Sequence, residues 1–129
     1  MDVSKVIFKE IKDKGVVIAQ IDNIEFDALD KINGFISCAT SKVNLHSAKF
    51  HGEKDSDLKE RKYFMPTSMK SIARCHPNDT YSYEKGKSIA LKKLSEKYNR
   101  SLDRRVARFT RDMSKAVKCA EKYLENKTL

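Results

Sequence analysis

A thiol and an imidazole stand side by side at Cys75-His76, and Cys38, His46, His51 and Asp79 are further candidates for nucleophilic or metal chemistry. Acyl transfer needs a thiolate within reach of an imidazole, with a carboxylate to orient the ring. Zinc needs about four ligands, usually paired as Cys-x2-4-Cys or His-x3-5-His. His46 and His51 have four residues between them, but the cysteine pair that would complete such a site is missing. Adjacent residues in a strand also point to opposite faces, which separates Cys75 from His76. The four glycines do not cluster into a phosphate-binding loop, and the acidic residues form no acid–base pattern. We therefore expect no enzyme, no metal and no cofactor.

The chemistry that does recur at fixed spacing is positive charge. The chain carries a net charge of +9. Residues 84–129 hold 14 Lys/Arg against 6 Asp/Glu, whereas residues 1–57 hold 8 against 10, so the excess is local. Arg104, Arg108, Arg111, Lys115, Lys118 and Lys122 follow one another at steps of four and three, with Arg105 beside them. Leu102, Val106, Phe109, Met113, Ala116, Ala120 and Tyr123 keep the same alternation two residues out of phase, and Val117 and Leu124 widen that seam. Two residues along a helix rotate by about 200°, so the cationic rail lies opposite the apolar seam. Such an asymmetric charge implies a polyanionic partner. Guanidinium forks at four positions suit phosphate better than ammonium groups do. An acidic protein surface and a merely solvated helix face are the competing readings. Tyr81, Tyr83 and Tyr98 could stack on bases, yet no aromatic-rich RNA-binding signature is present.

These residues must be positioned by a small number of elements. The 129 residues suffice for a single domain with one core. Residues 1–75 read as mostly β. Strands are predicted over 3–11 and 16–21 around a turn at Gly15, then over 34–43, 46–50, 61–65 and 69–75. Residues 24–33 fit a short helix or a bent strand equally, and 51–57 read as a loop. Helices are predicted over 80–98 and 101–127, interrupted at Asn99-Arg100, with Ser101 as the N-cap of the second. The predicted fold is α+β, an antiparallel sheet covered by a C-terminal helical hairpin. If the seam outruns the sheet, its free end could pair with a second copy to give a homodimer. No apolar run approaches the ~20 residues of a membrane span. Three widely spaced cysteines, Cys38, Cys75 and Cys119, suit a reducing, cytoplasmic compartment.

The stretch Ala73-Arg74-Cys75-His76-Pro77-Asn78-Asp79-Thr80-Tyr81, continuing through Glu84 and Gly86 to Ala90, resembles a pattern in small uncharacterised proteins of bacteriophages and prophages. There a strand ends in Cys, followed by x-Pro-x-Asp-x-(Tyr/Phe) and then Glu-x-Gly opening a helix. The resemblance covers 18 of the 129 residues. It implies a phage origin, a bacterial host cytoplasm and a role in regulating host machinery or antagonising host defence, for example by inhibiting a CRISPR nuclease. It assigns no chemistry, and it makes Asp79 a helix cap. Taken together, the residues suggest a non-enzymatic protein that binds nucleic acid or a nucleoprotein through its C-terminal helix. The alternatives are an adaptor for an acidic protein and an enzyme with an unrecognised site. The cysteine reading has a direct check. Thiol titration of the unfolded chain should count three reduced cysteines, and elemental analysis should find no stoichiometric zinc; bound zinc would return Cys75 and His76 to first place.

Overall fold

Buried residues recur at alternate positions over Val17, Ala19 and Ile21, the period of a strand with one covered face. The computed structural model, which describes residues 1–41 and 61–127, has a strand there (β2, Val16–Asp22). The preceding strand, β1 (Ile7–Ile11), pairs antiparallel with it from Ile7↔Gln20 to Ile11↔Val16. One 3-10 turn, Lys12–Lys14, joins them and ends on Gly15 at φ 61°, a left-handed conformation that glycine adopts without Cβ strain. The third strand, β3 (Ser68–Arg74), lies antiparallel on the other side of β2, with Val17↔Ala73, Ala19↔Ser71 and Ile21↔Met69 in register. Among the described residues the order β1-β2-β3 leaves β1 and β3 as edges. The helices among the described residues are α1 (Asp27–Ser41) and α2 (Tyr83–Lys127).

The chain divides into two compact units, Met1–Asp27 with Met65–Leu102, and Ala28–Phe64 with Asp103–Leu129. In the first unit, α2 lays Gly86, Ala90, Leu94 and Tyr98 on the sheet at steps of four. A Cβ added at Gly86 would stand 2.7 Å from Cγ2 of Val17, so backbone and side chain are already in contact. Ala90 and Leu94 are fully buried beyond it. The Tyr98 hydroxyl donates to the Asp27 carboxylate. Lys93 and Lys97 donate to the carbonyls of Ile72 and Lys70 at 3.4 and 3.2 Å, which sets two ammonium groups against the edge strand β3. In the second unit, Ala28, Leu29 and Ile32 form the buried stripe of α1.

The α+β class and the strands at β2 and β3 match the sequence expectation. Four finer expectations do not. The anticipated hairpin of helices 80–98 and 101–127 is one unbroken helix. Asn99, Arg100 and Ser101 each cost at most about 0.7 kcal/mol in a helix interior, and neither Gly nor Pro interrupts them. Leu102 continues the stripe from Tyr98 at the next step of four, and Ser101 and Leu102 are both 8% exposed, so burial outweighs the local stop signal. Second, the expected strand over 34–43 is, as far as the described residue 41, the C-terminal part of α1, because Ala28, Leu29 and Ile32 start a helical period that the following residues continue. Third, residues 61–65 contain a 3-10 turn, Arg61–Tyr63, in place of a strand. Fourth, β1 is shorter than expected, since Asp2 caps a 3-10 turn over Val3–Lys5 by accepting from the Ser4 amide at 3.0 Å. The strand expected at 46–50 and the loop at 51–57 lie outside the described residues.

The contact at Gly86 can be tested against helix propensity. Gly86→Ala removes about 1 kcal/mol of intrinsic penalty. It also presses a methyl against Cγ2 of the fully buried Val17. Overpacking of this kind costs about 1–3 kcal/mol, so urea unfolding should show a net loss. The double variant with Val17→Ala should lose less than the two single losses combined. A Gly86→Ala protein more stable than the parent would show that α2 does not approach β2 this closely.

Candidate functional site

From Asp103 onward α2 carries the rail and the seam on opposite faces of one helix. Arg104, Arg111, Lys115, Lys118 and Lys122 are exposed. Arg108 is exposed as well, and its Nη1 donates to the Lys62 carbonyl at 3.1 Å. Arg105 differs from the others. It is half-buried, and its Nε donates to the Phe64 carbonyl at 2.9 Å. Burial, followed by repulsion from Arg108 and Arg104, lowers the Arg105 guanidinium from its ordinary value. Two of the seven predicted cations therefore also hold the turn at Arg61–Tyr63 against α2.

The rest of that attachment was not anticipated from the sequence. The Tyr63 hydroxyl donates to Asp112 Oδ2 at 2.7 Å, and Lys62 Nζ lies 2.8 Å from the same oxygen. The Tyr63 ring meets Phe109 edge-on with centroids 5.6 Å apart, and Phe35 of α1 lies 6.4 Å from Phe109. The hydrogen bonds from Lys62 and then Tyr63 hold the Asp112 carboxyl below the ordinary carboxylate value. Burial first, and Asp112 second, push the Tyr63 phenol up. A sequence signal did exist: Arg105 and Asp112 are seven apart on one flank of the seam, and Asp112 interrupts an otherwise cationic run. What the chain alone could not show is which residues 41 to 49 positions away would meet them.

The apolar seam was expected to be buried along its whole length, as the cover of the sheet. Instead Leu102 is buried, Val106 and Phe109 are half-buried, and every residue from Met113 to Lys127 is exposed. The sheet is covered by Gly86, Ala90, Leu94 and Tyr98, so the second half of the seam is left over.

At the other end of α2, Cys75 and His76 border a pocket of about 140 Å³ together with Gly15, Val17, Tyr81 and Lys85. The Cys75 thiol lies 3.5 Å from the carbonyl oxygens of His76 and Asp79. The His76 Nδ1 accepts from the Asn78 amide at 3.2 Å. Thiol and imidazole thus have separate backbone partners, and the arrangement is not that of a nucleophile with its base. Burial, then the Glu10 carboxylate, push the Tyr81 phenol up. The cap of α2 is Ser82, whose Oγ accepts from the Lys85 amide at 3.3 Å; Asp79 serves the preceding turn through its amide and the His76 carbonyl. Cys38 is exposed on α1, and His46 and His51 lie outside the described residues. Among the described residues no three His, Cys, Asp or Glu side chains converge on a metal position, and no helix is long and apolar enough to cross a membrane.

No protein-family model, curated protein or solved structure matches the chain. The fold and the site therefore define its class by themselves: an α+β protein whose last helix presents a cationic rail on one side and an apolar seam on the other.

The attachment of Tyr63 and Lys62 to Asp112 gives a pH dependence of definite sign. A carboxyl whose folded value is lowered stabilises above its unfolded value, near 3.8, and the contribution disappears as pH falls through the lower folded value. Urea midpoints of parent and Asp112→Asn should therefore differ at pH 7 and converge as the pH falls below the unfolded value through the lowered folded one. In the same variant the Tyr63 phenol should titrate closer to its ordinary value. An unchanged difference at acid pH would mean that the ionised carboxylate is not what holds the turn.

Proposed function

We propose that this is a non-enzymatic binding protein that engages nucleic acid, or a nucleoprotein, through Arg104, Arg108, Arg111, Lys115, Lys118 and Lys122. The supporting observation is that all six lie on one exposed face of an unbroken helix. From Arg104 to Lys122 the rail runs about 27 Å at ~1.5 Å per residue. That is a little under the ~34 Å of one turn of duplex DNA. Phe109, the one aromatic residue between Arg104 and Lys122, lies on the opposite seam, so a continuous phosphate backbone suits the rail better than unstacked single-stranded bases. The rail stays free whether the chain is a monomer or a homodimer paired along the opposite seam.

One observation favours a second reading, an adaptor for an acidic protein surface. Glu121 and Glu125 alternate with Lys118 and Lys122 toward the C-terminal end, a mixed pattern more usual at protein–protein contacts. A role in regulating host machinery or antagonising host defence, such as inhibiting a CRISPR nuclease, rests on the resemblance of residues 73–90 alone.

Replacing Arg104, Arg111, Lys115 and Lys118 with Gln keeps helix formers at exposed positions and spares the two arginines that hold the turn. The parent should bind a random-sequence duplex at low salt and weaken steeply as salt rises. The variant should bind more weakly, with its log–log salt slope reduced by about 3–4. Anisotropy at two salt concentrations, on a duplex, a single strand and a structured RNA, measures this. A parent that binds none of the three at low salt overturns the nucleic-acid reading, and retention of an acidic protein after nuclease treatment would then support the adaptor.

A further inference from the structure

Met113, Val117 and Tyr123 are 43%, 55% and 61% exposed, and Ala116 and Ala120 between them are exposed too. The steps of three and four joining Met113, Ala116, Ala120 and Tyr123 are those of the knob positions of a two-stranded coiled coil. Val117 and Cys119, which flank this seam, are uncharged. Lys115, Lys118 and Lys122 sit about 120–180° around the helix from the seam's centre at ~100° per residue. Lys127 closes the seam, with its ammonium 5.3 Å above the ring of Tyr123. An occupant laid along residues 113–123 would therefore meet apolar atoms and no charge.

This pattern discriminates between occupants. An anionic membrane holds an amphipathic helix by its apolar face together with cations at the boundary of that face. Here the cations lie beyond that boundary, on the far side of the helix, so one flat surface cannot engage seam and rail together. A second copy of the same seam needs no cations, and its flanks bring no like charges into contact.

We propose that residues 113–123 pair antiparallel with the same residues of a second copy. Centred on Lys118, this pairing sets Met113 opposite Tyr123 of the other copy and Ala116 opposite its Ala120. Large residues then meet each other at either end, and the alanines let the axes approach in the middle. Antiparallel packing also opposes the two helix dipoles, which a parallel pair would align. This stretch, about 16 Å of helix at ~1.5 Å per residue, buries less than the ~800 Å² per partner of a standard interface. The dimer is accordingly weak and concentration-dependent. Its rails face outward on opposite sides, and it does not depend on what the rail binds.

The test uses the whole chain without nucleic acid. Sedimentation equilibrium between about 10 and about 500 µM spans the range where a sub-standard interface becomes populated. The mass should rise from one chain toward two. Ala120→Lys, an exposed position given another good helix former, should hold the mass at one chain throughout. A short bismaleimide should join Cys119 to Cys119, identified by mass spectrometry of tryptic peptides, because the two thiols share one flank only in the antiparallel pair. A single-chain mass at every concentration overturns the proposal, as does a dimer indifferent to Ala120→Lys. A dimer without the Cys119 cross-link overturns the antiparallel pairing. A chain that remains single and adsorbs to phosphatidylglycerol vesicles overturns it in favour of a lipid surface.

Discussion

The contact between Gly86 and Val17 is the constraint around which the first unit is arranged. With no side chain at 86, α2 meets β2 backbone against side chain. The residues that follow at steps of four grow in size, from Gly86 to Ala90, Leu94 and Tyr98, and all three side chains are buried. Interiors pack near crystal density, so a graded series of this kind fills a gap that widens along the helix. Tyr98 ends the series with its hydroxyl on Asp27, at the start of α1, so that the widest part of the gap also carries a satisfied polar group. Steps of four drift by about 40° each around a helix, which is why the covered stripe is slanted.

The second unit is held differently. Its aromatic group of Phe35, Tyr63 and Phe109 is small, and the turn at Arg61–Tyr63 relies on charge-assisted bonds to α2 as much as on burial. Arg105 and Arg108 reach main-chain carbonyls while Asp112 accepts from Tyr63 and pairs with Lys62. A single helical face thus mixes fold-holding and outward-facing cations three residues apart. That mixture explains why charge spacing alone overcounts the groups offered to a partner: Arg105 belongs to the turn, and Arg104 beside it belongs to the rail.

Legibility in the sequence followed the range of the interactions concerned. The opposition of rail and seam depends only on local rotation per residue, and the class of fold depends on alternation in β2 and β3; both were readable. The continuity of α2 was not. The pattern changes at Tyr98–Leu102 from steps of four to alternating steps, and Asn99 through Ser101 are residue types that commonly end or begin helices. One helix carrying two stripes has the same signature as two helices. The stretch that became the end of α1 misled for a related reason, since Ile36 and Thr40 favour strands while the helical period begins nine residues earlier, at Asp27 and Ala28. The clamp on the 61–64 turn was unreadable because its partners are more than 40 residues apart.

The two lysines laid against β3 have a consequence for how the sheet can grow. An open sheet with two bare edges can add strands on both sides and extend indefinitely. With Lys93 and Lys97 on the β3 side, only β1 is left as a template among the described residues. An association with one usable edge per molecule closes after two molecules, by the same logic that separates a two-fold assembly from a fibre. Colloidal safety in this small, highly charged chain therefore resides partly in the two ammonium groups set against β3.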